Sequence, residues 1–219
     1  MIDIKFCGLT RPEDTELAVA LGAAYVGVIF AGGPRELTPA RAAEVLAPTS
    51  GAPTKRVGVV AAQPVDELLA IAERAQLDVL QLSYGADTAQ RIGLRSRFGG
   101  ALWGVTHVRP DAARPDTDPA LWVADGLTGI VLDTAVAGRL GGTGVALDWA
   151  AVAPEVQRLR GLGQVVLAGG LKPENVEQAV RAAAPDVVDV SSGVERAPGI
   201  KDPDRMRAFV AAVRRTEVR

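Results

Sequence analysis

Short runs of valine, isoleucine and leucine recur along the chain roughly every 25 to 30 residues, and between them alanine, leucine and valine fall at helical spacing. The runs predict strands at Ile2–Cys7, Tyr25–Phe30, Arg56–Ala61, Val79–Leu82, Ala101–Val105, Gly129–Leu132, Gln164–Ala168 and Val187–Ser191. Helix starts are expected where a capping residue precedes a proline, whose fixed φ suits a first turn. Thr10 ahead of Pro12 and Thr38 ahead of Pro39 have this form, and Lys172, Pro173, Glu174 and Asp202, Pro203, Asp204 read the same way. The stretch from Arg109 to Pro119 holds three prolines, so the helix after the fifth strand is expected to be short or irregular, near Ala120–Leu127.

Strands that are apolar on both faces and joined by helical crossovers imply a parallel sheet covered by helices. Eight such units favour closure over an open doubly wound sheet, so the α/β fold expected is a single (β/α)8 barrel of the TIM type over residues 1–219. A chain of 219 residues, 48% of them hydrophobic, has enough apolar mass for one substantial core. Neither a tandem repeat nor a low-complexity linker divides it.

Charge narrows the partners. The formal charge is −2, from 24 basic and 26 acidic residues, which gives no net attraction for nucleic acid. The chain has one cysteine, which cannot form an internal disulfide and fits a reducing compartment. Met1 to Gly8 alternates charged and apolar residues without the basic start and apolar run of an export signal, and no run of eighteen apolar residues suggests a membrane span. A soluble, cytoplasmic protein is expected, as monomer or homodimer.

In a barrel of this kind the chemistry sits where the strands end. Cys7 closes the first apolar run, with Lys5 two positions earlier and Gly8 after it; a cation and a tight turn beside a thiol can favour thiolate, although an inert packed cysteine is the commoner fate. Asp133 follows Ile130, Val131 and Leu132 and is either a helix cap or a catalytic acid. Glycines close the sixth, seventh and eighth runs: Gly141, Gly142 and Gly144 around Thr143, then Gly169 and Gly170, then Gly193 after Ser191 and Ser192. Glycine lets backbone amides approach an anion, and the loops after strands seven and eight commonly hold phosphate in such barrels. No Walker lysine and no GxGxxG fingerprint accompany them, so no nucleotide cofactor is implied. Arg35, after the second strand, suits a carboxylate through two parallel hydrogen bonds, or is a solvated surface residue. His107, the sole histidine, reads as a loop residue after strand five, and one histidine with one cysteine makes a transition-metal site improbable.

These segments together resemble the phosphoribosylanthranilate isomerase family, the barrel enzyme of tryptophan biosynthesis. The likeness is carried by KFCGLTR at Lys5–Arg11, GPR at Gly33–Arg35, LDT at Leu132–Thr134 with GGTG at Gly141–Gly144, AGGLKPENV at Ala168–Val176, DVSSGVE at Asp189–Glu195 and PGIKD ending at Asp202. The resemblance implies a cofactor-free Amadori rearrangement of a phosphosugar. By it Asp133 is the acid that opens the ribose ring, Cys7 the base that removes the C2′ proton, and Arg35 the anthranilate carboxylate's partner. Gly142, Gly144, Gly169, Gly170, Ser192 and Gly193 would surround the phosphate. The chain departs from the family where a histidine often follows strand four, here Ser83, where a serine often precedes PR, here Gly33, and where an aromatic residue often ends strand three. A histidine-pathway isomerase of similar type would ordinarily carry aspartate at the place of Cys7, and a non-catalytic phosphosugar-binding barrel would have no need of both Cys7 and Asp133.

Overall fold

The structure is a computed structural model that describes residues 1–83, 87–110, 112–115, 117–134 and 147–217. Eight parallel strands close on themselves in sequence order. They are β1 (Asp3–Phe6), β2 (Tyr25–Ile29), β3 (Lys55–Val60), β4 (Val79–Leu82), β5 (Ala101–Val108), β6 (Gly129–Thr134), β7 (Gln164–Leu167) and β8 (Val187–Val190). The seam is made by β1 and β8, in register from Asp3 opposite Val187 to Phe6 opposite Val190. Helices α1 (Pro12–Ala20), α2 (Pro39–Leu46), α3 (Val65–Ala75), α4 (Thr88–Arg97), α5 (Ala120–Ala124), α6 (Trp149–Arg160), α7 (Val176–Ala183) and α8 (Pro203–Arg215) lie between or after the strands. A small antiparallel hairpin, β9 (Glu195–Ala197) with β10 (Ile200–Lys201), is added between β8 and α8.

The barrel has two apolar layers because its strands are buried on both faces. Outward-facing side chains such as Ile4, Val26, Leu80, Ile130 and Val188 pack under the helices. Inside, Tyr25, Val57, Val79, Trp103, Val131, Val166 and Val187 fill the lower barrel, with Tyr25 and Trp103 meeting edge to face at 4.9 Å between centroids. Trp103 fits because β6 offers Gly129 opposite it: a Cβ there would overlap the indole. Each fully buried large aliphatic side chain contributes about 1.5 to 3 kcal/mol, so this filled lower half makes a rigid floor for the mouth above it.

The helix starts follow the expected chemistry unevenly. Thr38 caps α2 by accepting from the Arg41 amide at 3.2 Å, and Asp202 caps α8 by accepting from the Asp204 and Arg205 amides. Thr10 does not cap α1; its hydroxyl donates to the carbonyl of Gly199 in the turn of the hairpin. The segment at Pro173 is a turn, and α7 begins only at Val176. There Asn175 braces the turn, accepting from the Lys172 amide and donating to the Gly170 carbonyl. The helix after β5 is five residues long, in keeping with its prolines.

Candidate active site

Above the lower apolar layer, side chains that point inward near the C-terminal ends of the strands become polar. They line a cavity of about 310 Å³ at the barrel mouth, whose walls include Cys7, Arg35, Gln81, His107, Asp133, Gly169, Gly170, Asp189, Ser191, Ser192 and Gly193. Cys7 lies one residue past β1, its amide donating to the Val190 carbonyl at 2.9 Å. Its thiol shares space with the Lys5 ammonium over Gly27: a Cβ on that glycine would lie 3.1 Å from Cys7 Sγ and 3.4 Å from Lys5 Nζ. Lys5 is wholly buried and donates to Asp189 Oδ2 at 2.7 Å across the seam. Burial opposes the ammonium, yet Asp189 and Cys7 offset it, so the Lys5 pKa is raised. Burial also pushes the Cys7 thiol up; Lys5 pulls it back only in part, because Asp189 occupies the same lysine and repels a thiolate. Lys5 acts in the expected direction, toward thiolate, but burial outweighs it and leaves the thiol above its usual value.

Asp133 stands inside β6, partly open to the cavity yet withdrawn from bulk water. Burial pushes its carboxyl up, against the Thr134 amide, which donates to Oδ1 at 2.7 Å, and against His107. Asp133 accepts from the next amide, and β6 continues through Thr134, so Asp133 is a strand residue and caps no helix at Thr134. In the closed strand order β1 is three strands from β6 by way of β8 and β7, so Cys7 and Asp133 reach one cavity from nearly opposite walls. The arrangement can give a proton from one side of a bound molecule and take one from the other.

The remaining walls are backbone and cation. Gly169 and Gly170 have φ of 85° and 67°, the left-handed region where a side chain strains. A Cβ on Gly193 would run into the Leu171 carbonyl oxygen, so only glycine allows β7's loop to lie against β8's. Arg35 reaches the cavity from the loop after β2 while Glu195 takes its Nε and Nη2 at 2.8 and 2.6 Å. Three buried polar atoms of the lining, Gln81 Oε1, Asp189 Oδ1 and Ser191 Oγ, have no hydrogen-bond partner among the described residues. Buried polar atoms are rarely left so, and their grouping along one cavity is what a site for a polar ligand looks like. No three His, Cys, Asp or Glu side chains among the described residues are grouped as a metal ion would need.

A profile of the family described as N-(5'phosphoribosyl)anthranilate (PRA) isomerase matches residues 4–212. The chain belongs to the PRA isomerase family. A relative named N-(5'-phosphoribosyl)anthranilate isomerase, from Paramagnetospirillum magneticum, is 40% identical over 215 residues, 97% of each chain. The crystal structure of phosphoribosyl anthranilate isomerase from Thermus thermophilus superposes with a TM-score of 0.82 at 32% identity, covering 98% of this chain and 99% of that one. A PRA isomerase crystallised with reduced 1-(o-carboxyphenylamino)-1-deoxyribulose 5-phosphate superposes with a TM-score of 0.81 at 29% identity, covering 98% and 99%.

Of the PRA isomerase positions singled out in the sequence, Cys7, Arg35, Asp133, Gly169, Gly170, Ser192 and Gly193 line the same cavity, whereas Gly142 and Gly144 lie outside the described residues. His107 corrects the reading of a loop histidine: β5 extends to Val108, and His107 faces the cavity in register with Asp133. Asp189, Ser191, Glu195 and Lys201 received no role from the sequence. A charged residue inside an otherwise apolar strand was the signal available for Asp189, and Lys5 carries the matching one.

Proposed function

We propose that the chain isomerises N-(5′-phosphoribosyl)anthranilate in tryptophan biosynthesis with Asp133 as general acid and Cys7 as general base. The observation that carries this is the meeting of one thiol and one raised carboxyl on facing walls of a single cavity. Asp133 gives its proton to the ribose ring oxygen as the C1′–O bond breaks, leaving an open-chain iminium conjugated with the aromatic ring. Cys7, as thiolate, removes the C2′ proton, and those electrons neutralise the iminium to an enolamine. Tautomerisation returns a proton to C1′ and gives the ketone, so atoms balance with no cofactor. Burial suits Asp133 to its part by favouring the protonated form.

Arg35 binds the anthranilate carboxylate, and the amides around Gly169, Gly170 and Gly193, with Ser192, hold the phosphate, leaving the ribose between the two reacting groups. Gly142 and Gly144 belong to the same phosphate reading. The lone free thiol supports a reducing, cytoplasmic setting for this single-domain enzyme. Purified protein supplied with phosphoribosylanthranilate generated in place should consume anthranilate-type fluorescence. Cys7→Ser and Asp133→Asn should each slow this at least about a hundredfold. No turnover by the unaltered chain defeats the function, and near-normal rates in either variant remove that residue from the mechanism.

A further inference from the structure

The DVSSGVE and PGIKD segments contain Glu195 and Lys201, and neither residue has a part in the proton transfers. Both sit on the hairpin β9–β10, which leans over the seam of the barrel toward the loop that carries Arg35. Glu195 accepts from Arg35 through both oxygens, Nε to Oε1 at 2.8 Å and Nη2 to Oε2 at 2.6 Å. Oε1 also accepts from Lys201 Nζ at 2.9 Å and from the Gly199 amide at 3.3 Å. Lys201, with no exposed side-chain surface, gives its other protons to the carbonyls of Cys7 at 2.6 Å and Ser191 at 3.1 Å. Three acceptors around one nitrogen require three donors, which is the ammonium form.

A guanidinium has two edges that can grip a carboxylate with parallel hydrogen bonds: the side edge of Nε and one terminal nitrogen, and the end edge of both terminal nitrogens. Glu195 fills the side edge of Arg35 and leaves the end edge for a second carboxylate. Glu195 cancels the charge of Arg35, and Lys201 restores one positive charge to the three-residue cluster, the count that a single ligand carboxylate neutralises.

We propose that Glu195, itself held by Lys201, is the positioning residue that turns the end edge of Arg35 toward the cavity, and thereby sets selectivity for a ligand bearing a ring carboxylate. This rests on the reading of Arg35 as the carboxylate partner. In that arrangement the arginine is ordered before the ligand arrives, so binding does not have to immobilise it. The cluster also fixes the carbonyls of Cys7 and Ser191, tying the carboxylate subsite to the base and to the phosphate loop.

The test is equilibrium binding of two probes, reduced carboxyphenylamino deoxyribulose phosphate and its counterpart without the ring carboxylate, by the unaltered chain, Arg35→Ala, Glu195→Gln and the double variant. The ratio of the two dissociation constants is the readout. Glu195→Gln should lower the preference for the carboxylate probe about two- to tenfold, the cost of ordering one long side chain on binding. In the Arg35→Ala background the same change should do nothing further. Three results overturn the proposal: tighter carboxylate binding in Glu195→Gln, as a mere charge offset predicts; equal weakening of both probes, as a purely structural role predicts; or an undiminished effect without Arg35. Should Arg35→Ala alone leave the preference unchanged, the earlier assignment of Arg35 falls and this one with it. If Glu195→Gln does not fold, Glu195→Asp, which keeps the charge but shortens the reach, must lower the preference in the same way.

Discussion

Replacing Asp133 by asparagine should change the shape of the pH profile as well as its height. The proposed mechanism needs a thiolate at Cys7 and a protonated carboxyl at Asp133 in the same molecule. Ordinary values of about 3.9 for the carboxyl and about 8.5 for the thiol put the pair in the opposite states between those limits. Burial pushes both groups up; with the carboxyl still the first to ionise, the profile has two limbs. Between the two limbs the pair holds one proton, and the productive form is the minority arrangement of that proton, a fixed fraction across the plateau. Each unit by which the Asp133 value approaches that of Cys7 enlarges that fraction tenfold, about 1.36 kcal/mol.

Under the proposed mechanism the acid limb of kcat/KM belongs to Asp133 and the alkaline limb to Cys7. In Asp133→Asn there is no acid to ionise, and the residual rate should track thiolate alone. It should rise tenfold per unit pH through neutrality and level off where the unaltered enzyme declines, above about 8.5. At neutral pH the loss should be at least about a hundredfold, roughly 2.7 kcal/mol of barrier. Initial rates from about pH 6 to about pH 10, with substrate generated in place and fluorescence loss as signal, contain both arms of the comparison. An asparagine variant that still falls with the parent's alkaline limb, or one of near-parental rate, refutes the assignment.

Other expectations are simpler. Arg35→Ala should raise KM with little change in kcat, since the ring carboxylate does not alter during the reaction; steady-state kinetics with an unchanged KM would show the reverse. Lys5→Met leaves Asp189 buried without a counter-charge and should cost about 3 to 5 kcal/mol, lowering the melting midpoint by roughly 6 to 20 °C in a chain of this size, which thermal unfolding measures directly. Asp133→Asn should stabilise at neutral pH, by a few degrees for about 1 kcal/mol. The sign is fixed by the raised folded pKa: the parent's carboxyl is at its most stabilising below the unfolded value and loses that advantage as pH rises through the folded one, so the gain should vanish in acid. Gly193→Ala should drive a methyl into the Leu171 carbonyl and raise KM about tenfold through the phosphate loop; an unchanged KM would separate that loop from the anion.

The eight strands were legible because each is an apolar run closed by glycine or a polar residue, and seven of them end within two residues of expectation. Strand β5 runs to Val108, three residues past the expected end: Thr106 is buried and His107 faces the cavity, two polar residues that end the apolar run without ending the ladder. Thr10 and Lys172 misled for different reasons: both local sequences fit a helix start, but the Thr10 hydroxyl is claimed by distant Gly199, and Lys172 enters a local turn closed by Asn175. Cys7, Arg35 and Asp133 were visible as single residues at strand or loop ends. Their supporting partners were not: Lys5 meets Asp189 at a separation of 184 residues, Arg35 meets Glu195 at 160 and Lys201 meets the Cys7 carbonyl at 194. A pattern read along the chain has no term for pairs that form only when the sheet closes.

The seam between β1 and β8 therefore bears on how the protein comes into being. The segment with Lys5 and Cys7 leaves the ribosome well before its partners, Asp189 following Lys5 by 184 residues and Lys201 following Cys7 by 194. Until those partners emerge, Lys5 lacks the Asp189 carboxylate and the Cys7 carbonyl lacks the Lys201 ammonium, so a nascent chain can hold its earlier strands and yet lack both contacts. These contacts are acquired together, when β8 and the hairpin join the sheet, and a chain cut short before Asp189 forms neither of them.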